Sequence, residues 1–429
     1  MLTVLLNNLL LKRYIYLSRK DLDSYRFLKL KKQLLHAYRN IPFYKKTFDQ
    51  SGVNPVNFNS LEVLSLYPVI NKDIIRANNL LNHDALFKYR FKSHTSGSTG
   101  QPMWTYYNFK SWIRKKYLVK ARARTECGVK LNEKIAVFES TSQHFKDNAN
   151  ILFQNLKSRY RVFSIFEPLE KTIQKLIDFS PAALYGSPSY FFLLGKYISK
   201  NRIGLTSVKK IFTSSEYLQE TVREYIQEKF KAEVFDIYGS TEFKEAAWEC
   251  EKHEGYHINE DEVIIEVLQD GKPAAPGVIG NIVITDLRNT VMPLIRYQMN
   301  DKGMLMKERC SCGRTFSIMK PSAGRSSEYI VLPNDEILSP YLFTTGIEKI
   351  EGLLQYQIIQ VNRHKLLVNI VSDPEYFKNI AESVRNILGY ITNHSMEIEI
   401  ERQIQIDVEE NGKFKVVKNL ILEQKGIKI

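Results

Sequence analysis

Cysteine is scarce in this chain of 429 residues: Cys127, Cys250, Cys310 and Cys312 are all there is. Four are too few to staple a chain of this length, which excludes a disulfide framework and points to a reducing compartment. Long apolar runs are missing as well, and no stretch approaches the roughly 20 residues that cross a bilayer. Met1 to Leu11 is apolar, yet Lys12-Arg13 follow that run instead of preceding it and no small-residue cleavage site comes after, the wrong order for a signal peptide. A cytoplasmic location is the expectation. Internal repeats and low-complexity segments are absent too. So are helix-turn-helix, RNP and tandem-finger patterns, and no nucleic-acid partner is expected in spite of a net charge of +14.

What is there has the composition of an ordinary soluble protein, with 44% hydrophobic and 25% charged residues. The length exceeds what one hydrophobic core supports, so two or more domains are expected. The positive charge is uneven: residues 1–60 carry eleven Lys/Arg against three Asp. With Leu9, Tyr14, Tyr16, Leu17, Phe27, Leu30 and Leu34 interleaved, this basic end suits either a peripheral contact with an anionic membrane or an amphipathic helix packed on the body with a solvated Lys/Arg face. The second reading is preferred.

Apolar spacing (Tyr25, Leu28, Leu35, Tyr38, with Leu34 beside them) predicts a helix over 22–40 that stops before Pro42. A second helix is expected from Asn71-Lys72-Asp73, a strand over 103–107 and a long basic helix over 111–127. Further on, strand-like Ile135 to Glu139, Leu184-Tyr185, Lys209 to Thr213 and Glu233 to Tyr238 alternate with helical 187–200 and 219–230; residues 143–156 read as loop and helix. Strand, crossover helix, strand is the pattern of a parallel α/β sheet, whose ligands sit at the carboxyl ends of the strands. From Tyr256 the texture turns antiparallel, through Val263 to Leu268, the turn Asp270-Gly271-Lys272-Pro273, and Asn281 to Asp286. The expected fold is α/β. A large N-terminal domain (1–324) has parallel sheets and a small β-subdomain (about 256–320), and a small mobile α+β domain (325–429) follows.

Chemistry concentrates in a few stretches. Ser93-His94-Thr95-Ser96-Gly97-Ser98-Thr99-Gly100-Gln101-Pro102 is a hydroxyl and glycine loop whose backbone can approach an anion and supply donors, the alternative being a plain solvated loop. Ser214-Ser215-Glu216 and Tyr238-Gly239-Ser240-Thr241-Glu242 both fall at strand ends. An aromatic face there can stack on a base, and a carboxylate can hold Mg2+, a hard cation that prefers oxygen. Met292 to Asp301 ends in an acid suited to a ribose diol. Gly324-Arg325 and Asn411-Gly412-Lys413-Phe414-Lys415 follow. Among the cysteines, Cys250 with His253 or His257, plus Cys310 and Cys312, offers thiolates and an imidazole to a tetrahedral structural Zn2+; free buried cysteines are the alternative.

In order and spacing these stretches resemble the AMP-forming adenylating superfamily, and within it the phenylacetate:CoA ligase branch that includes capsular polysaccharide biosynthesis proteins. The likeness runs from His36-Ala-Tyr-Arg-Asn-Ile-Pro-Phe-Tyr44 through Tyr67-Pro-Val-Ile-Asn-Lys-Asp73 and the glycine loop to Gln357-Ile-Ile-Gln360 and the C-terminal lysines. It implies that Thr95, Ser96, Gly97, Ser98, Thr99 and Gly100 grip the β- and γ-phosphates of ATP. Ser215, Glu216, Tyr238, Gly239 and Ser240 would line the nucleotide site, and Glu242 would hold Mg2+ with Thr99 or Thr241 nearby. Asp301 and Arg325 would hold the ribose, and Lys413, or else Lys415, would sit between carboxylate and α-phosphate, where two anions meet. For the Zn2+ set the resemblance favours His257 over His253. This chain departs from the pattern at Met103, where many relatives carry lysine, at Met299-Asn300, and at Ser327 and Glu328, where an acidic pair is usual.

The resemblance implies an enzyme that converts a small carboxylic acid to an acyl-adenylate with release of pyrophosphate, then passes the acyl group to coenzyme A. An amine or hydroxyl acceptor on a glycan or carrier in cell-surface polysaccharide synthesis is the alternative. A non-catalytic nucleotide-binding homologue is a further one. The acid pocket is expected from Phe138 to His144, Tyr185 to Pro188 and Ser214 to Glu216, a mixture of aromatics and hydroxyls that suits a small polar or aryl acid.

Overall fold

The computed structural model describes residues 11, 13–82, 91–94, 103–139, 159–216, 218, 220–321, 329–338, 340–347, 350–404, 406 and 417–421. The stretches 95–102, 143–156, 322–328 and 407–416, on which several of the expectations above fall, lie outside them. Among the described residues no helix is long and apolar enough to cross a membrane.

Helix α1 (Arg19–Asn40) begins where the Ser18 side chain accepts the Asp21 N–H, and it ends because Ile41 turns extended ahead of Pro42, which opens α2 (Pro42–Gln50). Its buried face is Leu22, Leu30, Gln33, Leu34 and Ala37. Leu28, expected inside, is 65% exposed, because a stripe through residues 30, 34 and 37 leaves position 28 on the far side. The helix lies on the body: Gln33 Nε2 donates to Asn289 O at 2.7 Å and Arg19 pairs with Glu260 at 2.8 Å. Lys20, Lys32 and Arg39 stay exposed. Helix α3 (Lys72–Ala77) is capped by Asn71.

Strands β1 (Phe91–His94) and β2 (Trp104–Tyr107) form an antiparallel pair in register His94 to Trp104. After β2 the expected single helix is broken into three turns of different pitch: α4 (Phe109–Ile113), a wider π-type stretch over Arg114–Val119, and α5 (Lys120–Glu126). Next come β3 (Ile135–Glu139), β4 (Tyr160–Ser164), α6 (Leu169–Phe179), β5 (Ala183–Gly186), α7 (Pro188–Lys200), β6 (Lys210–Ser214), α8 (Glu220–Phe230) and β7 (Glu233–Ser240). The sequence pattern missed β4 and α6. Strand β4 alternates only weakly, since it is a sheet edge with Arg161 and Ser164 facing out.

Strands β4, β3, β5, β6 and β7 pair in parallel in that order. The chain then reverses into β8 (Lys244–Glu249), β9 (Tyr256–Ile258), β10 (Val263–Gln269), β11 (Lys272–Pro273), β12 (Gly280–Asp286), β13 (Tyr297–Leu305) and β14 (Ile318–Pro321). The strand-rich stretch does not stand apart, because β7 pairs with β8 and all twelve strands make one sheet, ordered β11-β10-β12-β13-β14-β9-β8-β7-β6-β5-β3-β4.

Beyond it, β15 (Ile330–Val331) and β16 (Ile337–Leu338) form a short ladder. Helix α9 (Pro340–Ile347) leads to β17 (Leu353–Asn362), β18 (Lys365–Ser372), α10 (Phe377–Ile391), β19 (Glu397–Gln403) and β20 (Val417–Asn419). The four strands order as β19-β18-β17-β20, and the inward residues of β18 (Leu366, Val368, Ile370) meet Ile380, Val384 and Leu388 of α10 in a hydrophobic cluster of their own.

Candidate functional site

The crossing point of the large sheet is the turn from β7 to β8, where parallel pairing gives way to antiparallel. Gly239 sits there because nothing larger fits: a Cβ would stand 2.2 Å from the backbone oxygen of Lys244. Lys244 takes a positive φ of 63° to close the hairpin, and Ser240 Oγ accepts the Phe243 N–H at 3.3 Å. Tyr238, at the carboxyl end of β7, donates its hydroxyl to Asp301 Oδ2 on β13 at 3.0 Å. Thus two residues 63 positions apart in sequence, one aromatic and one acidic, share one edge of the crevice. The Glu242 side chain is buried and accepts the Tyr297 hydroxyl at 3.3 Å. Its oxygen-only chemistry suits a hard divalent cation.

The hairpin that leads into and out of the glycine loop is bolted to this turn. Tyr107 Oη donates to Glu242 O at 2.7 Å and reaches Thr241 O at 2.9 Å, while Lys244 Nζ donates to Ser93 Oγ at 2.8 Å. Thr95 to Gly100 lie outside the described residues; in the hairpin on either side of them, Tyr107 meets the Thr241 and Glu242 carbonyls and Ser93 meets Lys244. Met103, one of the departures from the resemblance, is buried in the main core and is a packing position.

Ser214, at the end of β6, donates to Ile237 O at 2.9 Å, and Ser215 beyond it is held at φ 78°, a left-handed conformation that β-carbon sterics disfavour. Ser215 and Glu216 therefore stand at the carboxyl ends beside Tyr238. Beneath them is a buried polar layer: Asp236 accepts from Tyr256 Oη at 2.9 Å and from Thr213, while Glu249 holds Arg223 through two guanidinium bonds of 2.9 and 2.7 Å. Burial, with Glu249 close by, pushes the Asp236 carboxyl up to about 7.

Arg325, Lys413 and Lys415 lie outside the described residues, yet the strands that follow them are joined. Asn419 of β20 donates to Tyr329 O at 2.7 Å and to Gln360 Oε1 at 2.7 Å, and Gln360 itself brackets Val331 through its amide. Gln360 is fully buried near the end of β17, and these bonds satisfy its amide there.

Sequence reasoning overlooked the basic face above β3, β5 and β8. Lys116, Lys120 and Arg124 recur every fourth residue, a spacing visible in the sequence that puts like charges on one helix face. Burial, and then Lys120 and Lys116 nearby, lower the Lys244 pKa to about 7 against the opposing pull of Glu242. Glu139, at the end of β3, and Glu245 are both raised by burial.

Away from this crevice Cys250, His257, Cys310 and Cys312 converge, their ligating atoms all within 4.8 Å of one another. Cys250 and Cys310 sulfurs are 3.5 Å apart, and Cys312 Sγ is 3.3 Å from His257 Nε2. With Zn–S about 2.3 Å and Zn–N about 2.0 Å, tetrahedral ligands stand roughly 3.5–3.8 Å apart, so the set fits a zinc ion. His257 Nδ1 is 3.2 Å from Phe316 O, which makes it the donor and leaves Nε2 to ligate. Burial holds the His257 pKa down to about 4, in the neutral form a metal needs. His253 is elsewhere, stacked on Phe235 and facing Glu249. Cys127 is also apart, its thiol donating to Glu249 O at 3.3 Å.

Residues 330–420 match the CapK C-terminal domain. The chain is 26% identical over 386 residues to phenylacetate-coenzyme A ligase of Thermus thermophilus, covering 86% of this chain and 85% of that one. It is 26% identical over 359 residues to Protein CapK of Staphylococcus aureus, covering 80% and 76%. A crystal structure of 2-hydroxyisobutyryl-CoA ligase in complex with 2-HIB-AMP and CoA superposes with a TM-score of 0.69 at 18% identity, over 97% of this chain and 93% of that one. The fold is that of the adenylate-forming ligases.

Proposed function

We propose that this relative of the phenylacetate-coenzyme A ligases is an ATP-dependent acid ligase. A carboxylate oxygen attacks the α-phosphorus of ATP, the new acyl–phosphate bond forms as the bond to pyrophosphate breaks, and the acyl-adenylate then gives its acyl group to the thiol of coenzyme A with loss of AMP. The observation that carries the reading is the bolting of the loop-bearing hairpin β1–β2 to the Tyr238–Lys244 turn through Tyr107 and Ser93, beside the Tyr238–Asp301 pair. Similarity to ligases of this class over most of the chain supports it.

In this reading Thr95 to Gly100 position the β- and γ-phosphates by backbone and hydroxyl donors. Ser215, Glu216, Tyr238, Gly239 and Ser240 enclose the base, and Asp301 and Arg325 take the ribose hydroxyls. Glu242, with Thr99 or Thr241, would hold Mg2+, which supplies charge neutralisation to the phosphates. Residues 325–429 form a small lid domain on the 1–324 domain, and Lys413 on the lid lies between the two reacting anions. Cys250, His257, Cys310 and Cys312 hold a structural Zn2+. In this reading the enzyme works in the cytoplasm, where ATP and coenzyme A are at hand.

The test is carboxylate-dependent exchange of pyrophosphate into ATP across a broad panel of acids. Exchange is expected, with a loss of about 10²–10³-fold in Lys413→Ala, the size seen when a group aimed at transition-state charge is removed. No exchange with any acid overturns the reading. A second reading replaces the thiol by an amine or hydroxyl on a glycan or carrier, the acceptor that the resemblance to capsular polysaccharide biosynthesis proteins implies. Exchange that proceeds while coenzyme A is never consumed selects it; tight ATP binding without turnover selects a non-catalytic homologue.

A further inference from the structure

Helix α1 packs one face on the body and leaves the other basic and apolar. From Ser24 to Phe48 the chain carries seven Lys/Arg and no Asp or Glu. Three- and four-residue spacing sets Ser24, Leu28, Lys31, Lys32, Leu35 and Arg39 on one helical face, opposite the buried stripe of Leu22, Leu30, Gln33, Leu34 and Ala37. Leu28, Lys32 and Arg39 are exposed, and Lys31 and Leu35 are half-buried beside them.

The chain does not answer these charges. The acids that bracket the run are engaged with other cations: Asp23 and Glu260 hold Arg19 and Arg26, and Asp49 holds Lys45 at 3.0 Å. Among the described residues Lys29, Lys31, Lys32, Arg39 and Lys110 have no carboxylate within ion-pair distance. Lys31 lies instead over the Phe27 ring at 5.8 Å and Lys29 over Tyr25 at 5.4 Å, and a ring attracts a cation without cancelling its charge. Burial first, and then Arg288, Lys32, Arg114 and Lys110, lower the Lys29 pKa, the mark of cations gathered on one side. Arg114 and Arg288 of that group are matched by Asp261 and Glu262; the lysines are not.

A solvated helix face normally interleaves acids with its cations. This one has none between Ser24 and Arg39, and it carries Leu28, 65% exposed, with Leu35 two turns on. A bilayer surface that contains anionic lipid suits both features, since phosphate headgroups take the cations and a leucine enters the boundary between headgroup and acyl chain. A soluble polyanion would answer the charge alone. The face is also preformed, because Gln33 fixes the helix to Asn289 at 2.7 Å and Arg19 fixes it to Glu260 at 2.8 Å, so docking needs no folding step.

We propose that the outward face of α1, made by Leu28, Lys31, Lys32, Leu35 and Arg39, docks the protein peripherally on an anionic phospholipid surface. The inference does not rest on the acid-ligase reading. Its contact is reversible and sensitive to salt, as one basic helix face with a small apolar wedge requires.

The test floats the full-length protein with vesicles of phosphatidylcholine alone and of phosphatidylcholine mixed with phosphatidylglycerol, at low and high salt. Binding is expected to the anionic vesicles and not to the neutral ones, and it weakens as salt screens the surface potential. Lys31→Gln combined with Lys32→Gln should weaken it by about tenfold or more, since each cation near such a surface contributes about fivefold. Leu28→Ser should weaken it severalfold and leave the salt dependence unchanged. Melting curves report whether the variants are folded; should the glutamine pair fail, Arg39→Gln at the exposed end of the helix is read in the same way. No binding of wild type to anionic vesicles, or equal binding by wild type and the α1 variants, overturns the proposal. Equal binding to heparin together with indifference to Leu28→Ser gives the face to an anionic polymer and overturns it too. Pyrophosphate exchange is measured in parallel and should not respond to these variants; its absence in wild type, with vesicle binding intact, would count against the ligase reading and leave the membrane face standing.

Discussion

Asp236 is a buried carboxyl held between the Thr213 and Tyr256 hydroxyls near the carboxyl end of β7, with its pKa raised by burial to about 7. An acid whose pKa is higher folded than unfolded binds more protons in the native state between the two values, so stability is full below about pH 4 and falls as pH rises towards 7. Up to about 4 kcal/mol is at stake by linkage, and Asp236→Asn should flatten this part of the stability–pH curve. Denaturant melts at pH 5 and pH 8 check it, and an unchanged slope in the variant would refute it. Gly239 offers a second test. Its Cβ would overlap the Lys244 carbonyl, a backbone atom that cannot swing away, so Gly239→Ala should cost about 1–3 kcal/mol and lower the melting temperature by several degrees. In sequence, Gly239 is legible as a turn glycine. That its neighbour Lys244 curls back over Trp112 and Tyr107 is not, because the contacts come from residues more than 130 positions upstream.

Helix and strand boundaries followed local rules where those rules acted alone. Ser18 and Pro42 delimit α1 and Asn71 caps α3, while α7 opens on Pro188 at its first position without a side-chain cap bond from Ser187. The segment over 109–126 departed from the single expected helix, since its basic side chains have to meet Asp286 and Asp261 on one face and Trp112 and Tyr185 on the other. A π-type turn shifts the angular register by adding a residue per turn, and such turns are frequent at functional sites. The Cys310-Ser311-Cys312 turn makes a related point: its sequence announces ligand spacing and the resemblance favours His257, while the tertiary structure is what brings His257 and Cys250 to it. One zinc per chain is expected by metal analysis. A strong chelator, or Cys310→Ser, should lower the melting temperature and release the turn, since structural zinc contributes folding energy outright. A metal-free protein with an unaltered melt in chelator would rule the site out.

For the whole molecule, the alternation of strands and helices from Ile135 to Tyr238 determined a parallel α/β sheet, because the period of apolar residues is a local property and crossover connections allow few arrangements. The motif stretches were legible for the same reason: glycine, hydroxyl and carboxylate types advertise phosphate and metal chemistry wherever they cluster. The tertiary structure alone decided that the strand-rich stretch after Tyr256 continues the same sheet, that Tyr238 meets Asp301, that Gln360 and Asn419 tie the strands following Arg325 and Lys413, and that Met103 is core. It also decided the charge balance of the crevice. A run of lysines reads as a solvated face until the fold turns it inward, and which rings and carboxylates Lys120 and Lys244 then face depends on which strands lie beside them, information that no local stretch of sequence carries.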